Sequence, residues 1–151
     1  PGANGVKTGY TGQAGKCLVS SVKMEDSEII IVVINCPGRW KETAKINDYV
    51  KKAYEFKNIV EKDEKMKSIS VGKSKDKLTL KSKQDIRLPI KKGSNVEVKI
   101  KLPKALEAPI YAGMRVGTIN VYEDEKLIYT TPLHCHSDVR RGKGILWWFK
   151  K

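Results

Sequence analysis

Lys7, Thr8 and Gly9 place three groups that suit the binding of a peptide carboxylate at consecutive positions near the start of the sequence. Lys7 supplies an ammonium and Thr8 a hydroxyl, and both groups hydrogen-bond a free carboxylate. Gly9 has no side chain, so a peptide can lie against the backbone there, as in β-strand addition. The triplet therefore suits a peptide that ends in a free carboxylate, but three residues alone match often by chance, and a plain surface turn is the alternative.

A second cluster of reactive side chains, His134-Cys135-His136, predicts no metal site. Adjacent residues of a strand point to opposite faces, so the three side chains cannot converge on one ion, and two histidines do not complete a site. The other cysteines, Cys17 and Cys36, have no Cys-x-x-Cys spacing, and an odd total leaves at least one thiol free. Cys17 and Cys36 face each other across a hairpin in one interpretation and are small buried residues in the other.

The residues after the triplet predict a hairpin and a helix. Residues 16–22 and 28–36 predict two strands, joined by the polar turn of residues 23–27. Residues 29–34 are continuously apolar, which predicts a central strand buried on both faces. Over residues 39–56 the apolar spacing changes to three or four, as in an amphipathic helix. Strand, strand and helix make the end of an α/β unit, so we expect a preceding piece of the protein to complete the domain.

The rest of the sequence predicts a small all-β sandwich. Residues 58–65 are charged and poorly patterned, which predicts a linker. Beyond them the apolar residues recur with period two, typical of strands with one buried face. They form four runs: Ile69/Val71, Leu78/Leu80, Ile86/Leu88/Ile90 and Val96/Val98/Ile100/Leu102. Residues 116–122 and 127–133 continue the alternation around an acidic turn, Glu123-Asp124-Glu125.

The charge of the protein is concentrated in its middle. The formal net charge is +13, from 30 basic and 17 acidic residues, and 31% charged residues argue against a membrane-embedded protein. Residues 57–104 alone carry +9. Such a segment favours anionic neighbours, with a solvated lysine-rich surface as the alternative. No aromatic residue lies between Lys57 and Lys104, so platforms for base stacking are absent there. A basic β module that binds nucleic acid or cell-wall polymer without catalysis remains the alternative function.

The triplet and its setting resemble a known family. The run Gly5-Val6-Lys7-Thr8-Gly9-Tyr10-Thr11 precedes Ala14-Gly15, the apolar strand and Arg39 at a helix start. This order resembles the Lys-Thr-Gly motif of the penicillin-binding proteins, and specifically the low-molecular-mass D-alanyl-D-alanine carboxypeptidases. Residues 85–93, 106–110 and 116–121 resemble the β-rich C-terminal domain of the same enzymes. Two independent matches in the expected order cover nearly the whole chain.

The resemblance implies an α+β fold and a set of site residues. Residues 1–57 are then the terminal strand, strand and helix of a β-lactamase/transpeptidase-like α/β catalytic domain, and residues 58–139 are its β-sandwich domain. Lys7 and Thr8 bind the substrate carboxylate, Gly9 allows the close approach, and the backbone N–H of Tyr10 helps form the oxyanion hole. Arg39 matches a family arginine associated with the substrate carboxylate, a task that suits a guanidinium fork, with an ordinary helix-start residue as the alternative.

The resemblance also implies an activity. A serine-type carboxypeptidase of this family removes the terminal D-alanine from peptidoglycan pentapeptide stems through an acyl-enzyme and binds β-lactams, with no metal, organic cofactor or nucleic acid. Its Ser-x-x-Lys and Ser-x-Asn motifs precede Lys-Thr-Gly, so we expect these 151 residues to be inactive without the missing N-terminal part of the chain. Ser70 and Lys73 have the Ser-x-x-Lys spacing but lie downstream, so we reject them. A β-lactamase or transpeptidase is the rival, and the β domain argues against a β-lactamase.

Residues 140–151 form a basic and aromatic tail that contains Trp147, Trp148 and Phe149. This apolar run is too short to span a bilayer, but tryptophan with flanking Lys and Arg favours the membrane interface. The resemblance implies that a membrane anchor starts here, with a tail packed on the β domain as the alternative. The expected localisation is extracytoplasmic, in the cell envelope, attached to the outer face of the cytoplasmic membrane.

Overall fold

The structure, a computed structural model, describes residues 2–72 and 77–140. The elements are, in chain order, β1 (Ala3–Thr11), β2 (Gly15–Met24), β3 (Ser27–Val33), α1 (Arg39–Ala53), β4 (Tyr54–Val60), β5 (Lys65–Ser70), β6 (Lys77–Lys81), β7 (Ile86–Lys91), β8 (Val96–Lys101), β9 (Arg115–Glu123) and β10 (Lys126–Cys135). The chain divides into a first unit, Pro1–Phe56 with Pro89–Lys92, and a second unit, Lys57–Leu88 with Gly93–Lys151. Over the described ranges, no helix has the length and apolar character needed to cross a membrane.

The first unit contains the antiparallel sheet β1-β2-β3 and the helix α1, which packs against β2 and β3. The predicted hairpin is confirmed as β2 and β3, with Glu25 in its turn at a φ of 55°. Alternate residues of the two strands point to one face of the sheet, so their apolar side chains meet there. These residues form the buried core of the unit: Leu18, Val22, Ile31 and Val33.

The prediction that residues 29–34 form a central strand buried on both faces is wrong for the described chain. β3 lies at the end of the three-stranded sheet, and Ile30 and Val32 are 67% and 55% exposed. Ile31 and Val33, which alternate with them, are buried in the core of the unit. Because successive residues of a strand point to opposite faces, an apolar strand covered on one face exposes every second side chain.

The elements up to residue 65 differ from the sequence prediction in several of their boundaries. β1 precedes the predicted pair of strands, and its Gly and Asn residues, which are depleted in strands, obscured it. α1 ends at Ala53 and not at residue 56, because Tyr54 is already extended, at φ −123° and ψ 156°. The linker predicted for residues 58–65 is wrong at residues 58–60, which belong to β4, and at residue 65, which begins β5. The interpretation of residues 1–57 as the end of a catalytic α/β domain stays a prediction.

The second unit is built on an antiparallel sheet with the strand order β5-β6-β10-β9-β8. The predicted β structure of this region is confirmed, and the acidic turn joins β9 to β10 with Asp124 and Glu125 at φ values of 45° and 68°. β4 and β7 pair in a separate two-stranded sheet. Val60 of β4 and Ile86 of β7 join the five-stranded sheet in one buried core. The core residues of this sheet include Leu78, Leu80, Ile119, Val121 and Leu133.

Candidate active site

β1, which carries Lys7, Thr8, Gly9 and Tyr10, is an outer strand of the first unit's sheet. It pairs with β2 on one side, where Lys7 lies opposite Val19. All nine residues of β1 are exposed, and no described strand pairs with its other edge. A free strand edge presents backbone N–H and C=O groups to which an extended peptide can add as a further strand.

The side chains of the motif alternate between the two faces of the sheet. Directly opposite residues share a face, so Lys7 lies on the face of the exposed Val19, and Thr8 on the face of the buried Leu18. The Lys7 ammonium donates a hydrogen bond of 3.1 Å to the backbone carbonyl of the next residue, Thr8. The ammonium and the hydroxyl therefore flank the strand from its two faces, and a group bound at the edge between them can reach both.

The fold itself does not require a glycine at position 9. A Cβ atom built on Gly9 would lie 3.8 Å from the Cβ of Cys17, which is an ordinary van der Waals contact. Glycines that the fold requires have a left-handed backbone or a neighbour that a side chain would strike. At Gly9 the space is free towards the rest of the protein, so the missing side chain matters for what approaches the strand from outside.

The turn after the motif is fixed by side-chain and backbone contacts. The Thr11 hydroxyl accepts a hydrogen bond from the backbone N–H of Ala14 at 2.9 Å, and the Cys17 thiol donates to the Ala14 carbonyl at 3.4 Å. Gly15 has a φ of +64°, and a Cβ there would overlap the side chain of Asn35. Gly15 is thus required twice, by its left-handed backbone and by the close approach of Asn35. This turn sets the register in which the motif is presented.

Backbone hydrogen bonds connect Arg39 to the same end of the sheet as Tyr10. Tyr10 lies opposite Lys16, the Lys16 carbonyl accepts from the Cys36 N–H at 2.8 Å, and the Cys36 carbonyl accepts from the Arg39 N–H at 3.1 Å. The Arg39 guanidinium lies 6.0 Å from the centre of the Trp40 ring. Its Nε is buried, and in the described chain it has no hydrogen-bond partner. Arg39 thus begins α1 close to the motif without bonding to it.

Ser20 and Lys23, which have the Ser-x-x-Lys spacing, do not form a nucleophile–base pair. Ser20 and Lys23 lie three residues apart in β2, and positions i and i+3 of a strand point to opposite faces. Ser20 is buried and lines a cavity of about 240 Å³ with Thr43 and Asn47 of α1. Ser70 is exposed at the end of β5, and Lys73 lies outside the described residues.

Comparison with known proteins gives two family matches in the order expected from the motifs. The family described as penicillin-binding protein 5, C-terminal domain, matches residues 54–141. The family described as D-alanyl-D-alanine carboxypeptidase matches residues 1–38, which contain the Lys-Thr-Gly triplet. The chain belongs to the family described as penicillin-binding protein 5, C-terminal domain. The resemblance drawn from the sequence is therefore confirmed, and α1 lies between the two matched segments.

Individual carboxypeptidases match along almost all of the chain. D-alanyl-D-alanine carboxypeptidase DacF of Bacillus subtilis is 29% identical over 158 residues, covering 100% of this chain and 40% of the relative. DacD of Salmonella typhimurium is 30% identical over 146 residues, covering 92% of this chain and 37% of the relative. The structure of penicillin binding protein 5 from Haemophilus influenzae has a TM-score of 0.79 and 28% identity, covering 93% of this chain and 43% of that one. The chain thus spans about two fifths of the length of these relatives.

His134 and Cys135 lie in β10 and point to opposite faces of their strand. In β10, Cys135 is buried and its thiol donates a 2.6 Å hydrogen bond to the Tyr111 carbonyl, while His134 points to the opposite face. No group of three potential metal ligands occurs in the described ranges. The pKa of His134 is lowered, first by burial and then by the positive charges of Lys83 and Arg115.

Two further predictions concern the thiols and the tail of the chain. All three thiols are free, so the pairing of Cys17 with Cys36 across the hairpin is not formed. In the register of β2 and β3 Leu18 lies opposite Val33, so Cys17 falls opposite residue 34, two positions before Cys36. The predicted membrane-contact residues lie outside the described residues: Trp147, Trp148 and Phe149.

Proposed function

We propose that the full-length protein is a serine-type D-alanyl-D-alanine carboxypeptidase of the cell envelope. The observation that carries the proposal is the position of the Lys-Thr-Gly triplet on a fully exposed strand with a free edge. A peptide stem that ends in D-alanyl-D-alanine lies along this edge as an added strand. The family membership of the chain, and the names of its relatives, support this substrate class.

The triplet residues bind the terminal carboxylate of the stem and stabilise the transition state. The Lys7 ammonium and the Thr8 hydroxyl bind the carboxylate from the two faces of β1, and the Arg39 guanidinium attracts it from the start of α1. Gly9 lets the peptide backbone approach the strand. The backbone N–H of Tyr10 donates to the carbonyl oxygen as negative charge develops on it. One such donor stabilises the transition state by roughly 3–4 kcal/mol.

The covalent steps use a serine and a lysine outside these 151 residues. The serine oxygen attacks the carbonyl of the penultimate D-alanine, its proton passes to the lysine, and the terminal D-alanine leaves with a proton on its amine. Water then adds to the acyl-enzyme, which releases the shortened stem and restores the serine. The reaction needs no metal or organic cofactor. A β-lactam follows the first step, and its ring amide opens without a leaving group. We propose that the 151 residues alone are not acylated.

The second unit acts as a non-catalytic domain in this proposal. Its core is formed by apolar residues of two sheets, and its strands carry no Lys-Thr-Gly motif. The basic and aromatic residues 140–151 attach the enzyme to the outer face of the cytoplasmic membrane. This arrangement places the carboxypeptidase next to its peptidoglycan substrate.

Acylation by a fluorescent penicillin tests the proposal. The full-length protein, the 151-residue chain and two full-length variants, Lys7→Gln and Lys23→Gln, are incubated with the probe and separated on a denaturing gel. Lys23 is an exposed lysine of the same sheet and serves as the matched control. We expect a covalent band on the full-length protein and the control, and none on the 151-residue chain. Loss of a charge-assisted hydrogen bond should slow acylation of Lys7→Gln by about 10- to 100-fold.

Two results would contradict the proposal. The first is a folded full-length protein that forms no covalent adduct at any probe concentration. The second is equal acylation rates for Lys7→Gln and the wild type, which would remove Lys7 from the carboxylate site. Release of free D-alanine from a pentapeptide, measured by mass spectrometry, distinguishes a carboxypeptidase from a transpeptidase, which would join the stem to another amine.

A further inference from the structure

The outward face of the five-stranded sheet in the second unit is strongly basic. Buried residues such as Leu80, Ile119 and Leu133 fix which face is inward, and the residues between them point outward. The outward residues with basic side chains are Lys65, Lys77, Lys81, Lys99, Lys101, Arg115 and His134. Among the described residues of these five strands, Glu97 is the one acidic side chain on this face, and it pairs with Lys99 at 2.9 Å. We call this surface the basic face.

Four of these residues form one continuous row across four adjacent strands. Lys65 lies opposite Lys81, Lys81 opposite His134, and His134 opposite Arg115. Neighbouring strands are about 4.8 Å apart, so the row carries cationic or titratable groups at short, regular intervals. Like charges directly opposite each other destabilise a sheet. The pKa of His134 is lowered mainly by burial, and the positive charges of Lys83 and Arg115 lower it further. A bound polyanion would relieve this repulsion.

A cavity of about 470 Å³ adjoins the row on the same face. Its walls include the cations of Lys101 and Arg115 and the hydrogen-bonding side chains of Thr118, Asn120 and Thr130. The Thr130 hydroxyl donates to the amide oxygen of Asn120 at 3.2 Å, so the amide nitrogen of Asn120 remains to donate to a ligand. Cations next to hydroxyl and amide groups suit a ligand that carries both anionic groups and sugar hydroxyls.

We propose that the basic face binds an anionic glycopolymer of the cell wall, a sugar chain with phosphate or carboxylate groups. The choice of a wall polymer rests on the envelope location in the proposed function. Nucleic acid fits this face less well, because single-strand binding uses exposed aromatic rings as stacking platforms. Among the described residues of the five strands, the aromatic side chain on this face is that of Tyr122, which is half-buried and has the Lys99 ammonium 5.0 Å from its ring centre. The basic face would bind the enzyme to the polymer while β1 binds the peptide stems.

Co-sedimentation of the full-length protein with purified cell walls tests this proposal. One arm uses walls that retain their phosphodiester-linked polymers, and the other uses the same walls after hydrofluoric acid has removed them. Binding that is lost in the second arm identifies phosphate groups as the ligand, and binding that persists identifies peptidoglycan carboxylates. In either case we expect binding to weaken as salt is raised, because exposed charges are screened.

A charge-matched pair of variants makes the test specific for the row. The test variant is Lys65→Gln/Lys81→Gln/Arg115→Gln, and the control removes three other exposed cations of the second unit, Lys62, Lys104 and Lys126. We expect the test variant to lose about tenfold in affinity, since each exposed ion pair contributes modestly, and the control to bind like the wild type. Urea unfolding of both variants checks the fold, and the test variant should be at least as stable because the repulsion is removed.

Three outcomes would overturn the proposal. The first is that the wild-type protein binds neither wall preparation. The second is that the test and control variants lose the same wall affinity. The third is that the protein binds a single-stranded RNA oligonucleotide more tightly than the walls, and that this binding depends on the same row. Acylation by fluorescent penicillin is measured in parallel on every variant. Wall binding without acylation would contradict the proposed function alone, and acylation without wall binding would contradict this inference alone.

Discussion

Gly117 of β9 is a position where the second unit requires the absence of a side chain. A Cβ built on Gly117 would overlap the backbone carbonyl oxygen of Lys101 and lie 2.8 Å from the Cδ2 of Leu102. Lys101 is the last residue of β8 and lies opposite Thr118, next to Gly117 in β9. A side chain can rotate away from a new methyl group, but a backbone carbonyl in a ladder cannot. Gly117→Ala must therefore displace the end of β8.

The overlap gives the expected loss in the free energy of unfolding of Gly117→Ala. Inserting a methyl group into a packed site costs typically about 1–3 kcal/mol, and we expect the upper part of this range because the obstacle is backbone. Dividing about 2–3 kcal/mol by a urea slope of about 1–2 kcal/mol per molar, we expect the unfolding midpoint to fall by about 1–3 M. Hydrogen exchange should increase in peptides from β8 and β9, while β1–β3 of the first unit keep their protection.

The measurement is urea unfolding of the 151-residue chain, with exchange read peptide by peptide by mass spectrometry. Gly12→Ala is the control, because a Cβ at Gly12 has no atom within 4 Å. A Gly117→Ala variant whose midpoint matches that of Gly12→Ala would refute the reasoning. The same holds if exchange increases equally in both units, since the overlap lies entirely within the second.

Three other predictions concern single groups. Gly15→Ala should lower the free energy of unfolding of the first unit by about 1–2 kcal/mol in urea unfolding. Adding Asn35→Ala should recover part of this free energy, and no recovery would contradict the overlap with Asn35. Because the folded pKa of His134 is lowered, the unfolded chain takes up a proton first as pH falls through about 6.5. The urea concentration at the unfolding midpoint should therefore decrease as the pH is lowered below about 6.5. The variant His134→Gln should weaken this pH dependence, and His136→Gln should not. Iodoacetamide should label Cys135, which is 3% exposed, only after unfolding, whereas Cys17 and Cys36 react in the native protein. Mass spectrometry of the labelled peptides measures this, and labelling of Cys135 in the native protein would contradict its burial.

Elements with a strong local pattern could be predicted from the sequence. The alternation at Leu78 and Leu80 and along residues 116–122 placed β6 and β9 correctly, because each strand has one face in the core. The acidic turn after β9 was also readable, since an uninterrupted pair of alternating runs leaves few places for a hairpin turn. In these segments local preference and tertiary packing favour the same structure, so a single sequence is sufficient.

Elements that depend on distant parts of the chain could not be predicted. β4 looks like a charged linker because its strand partner β7 begins only at Ile86. The exposure of Ile30 and Val32 depends on which strands flank β3, and an apolar run does not specify its neighbours. The row across the basic face is created by the register of four strands, so residues as far apart as Lys65 and His134 become neighbours without any sequence signal.

In the candidate site, the motif could be predicted from the sequence but the strand that carries it could not. The triplet was identifiable because three adjacent residue types fit one ligand, yet β1 itself has no apolar pattern and buries none of its side chains. A strand without buried side chains contributes little to the core, so its stability depends on backbone pairing with β2 and on the turn at Gly15. A chemically specific sequence on a strand that packs so little is better explained by its free edge than by folding. This contrast between weak packing and specific chemistry is the physical argument for placing the substrate along β1.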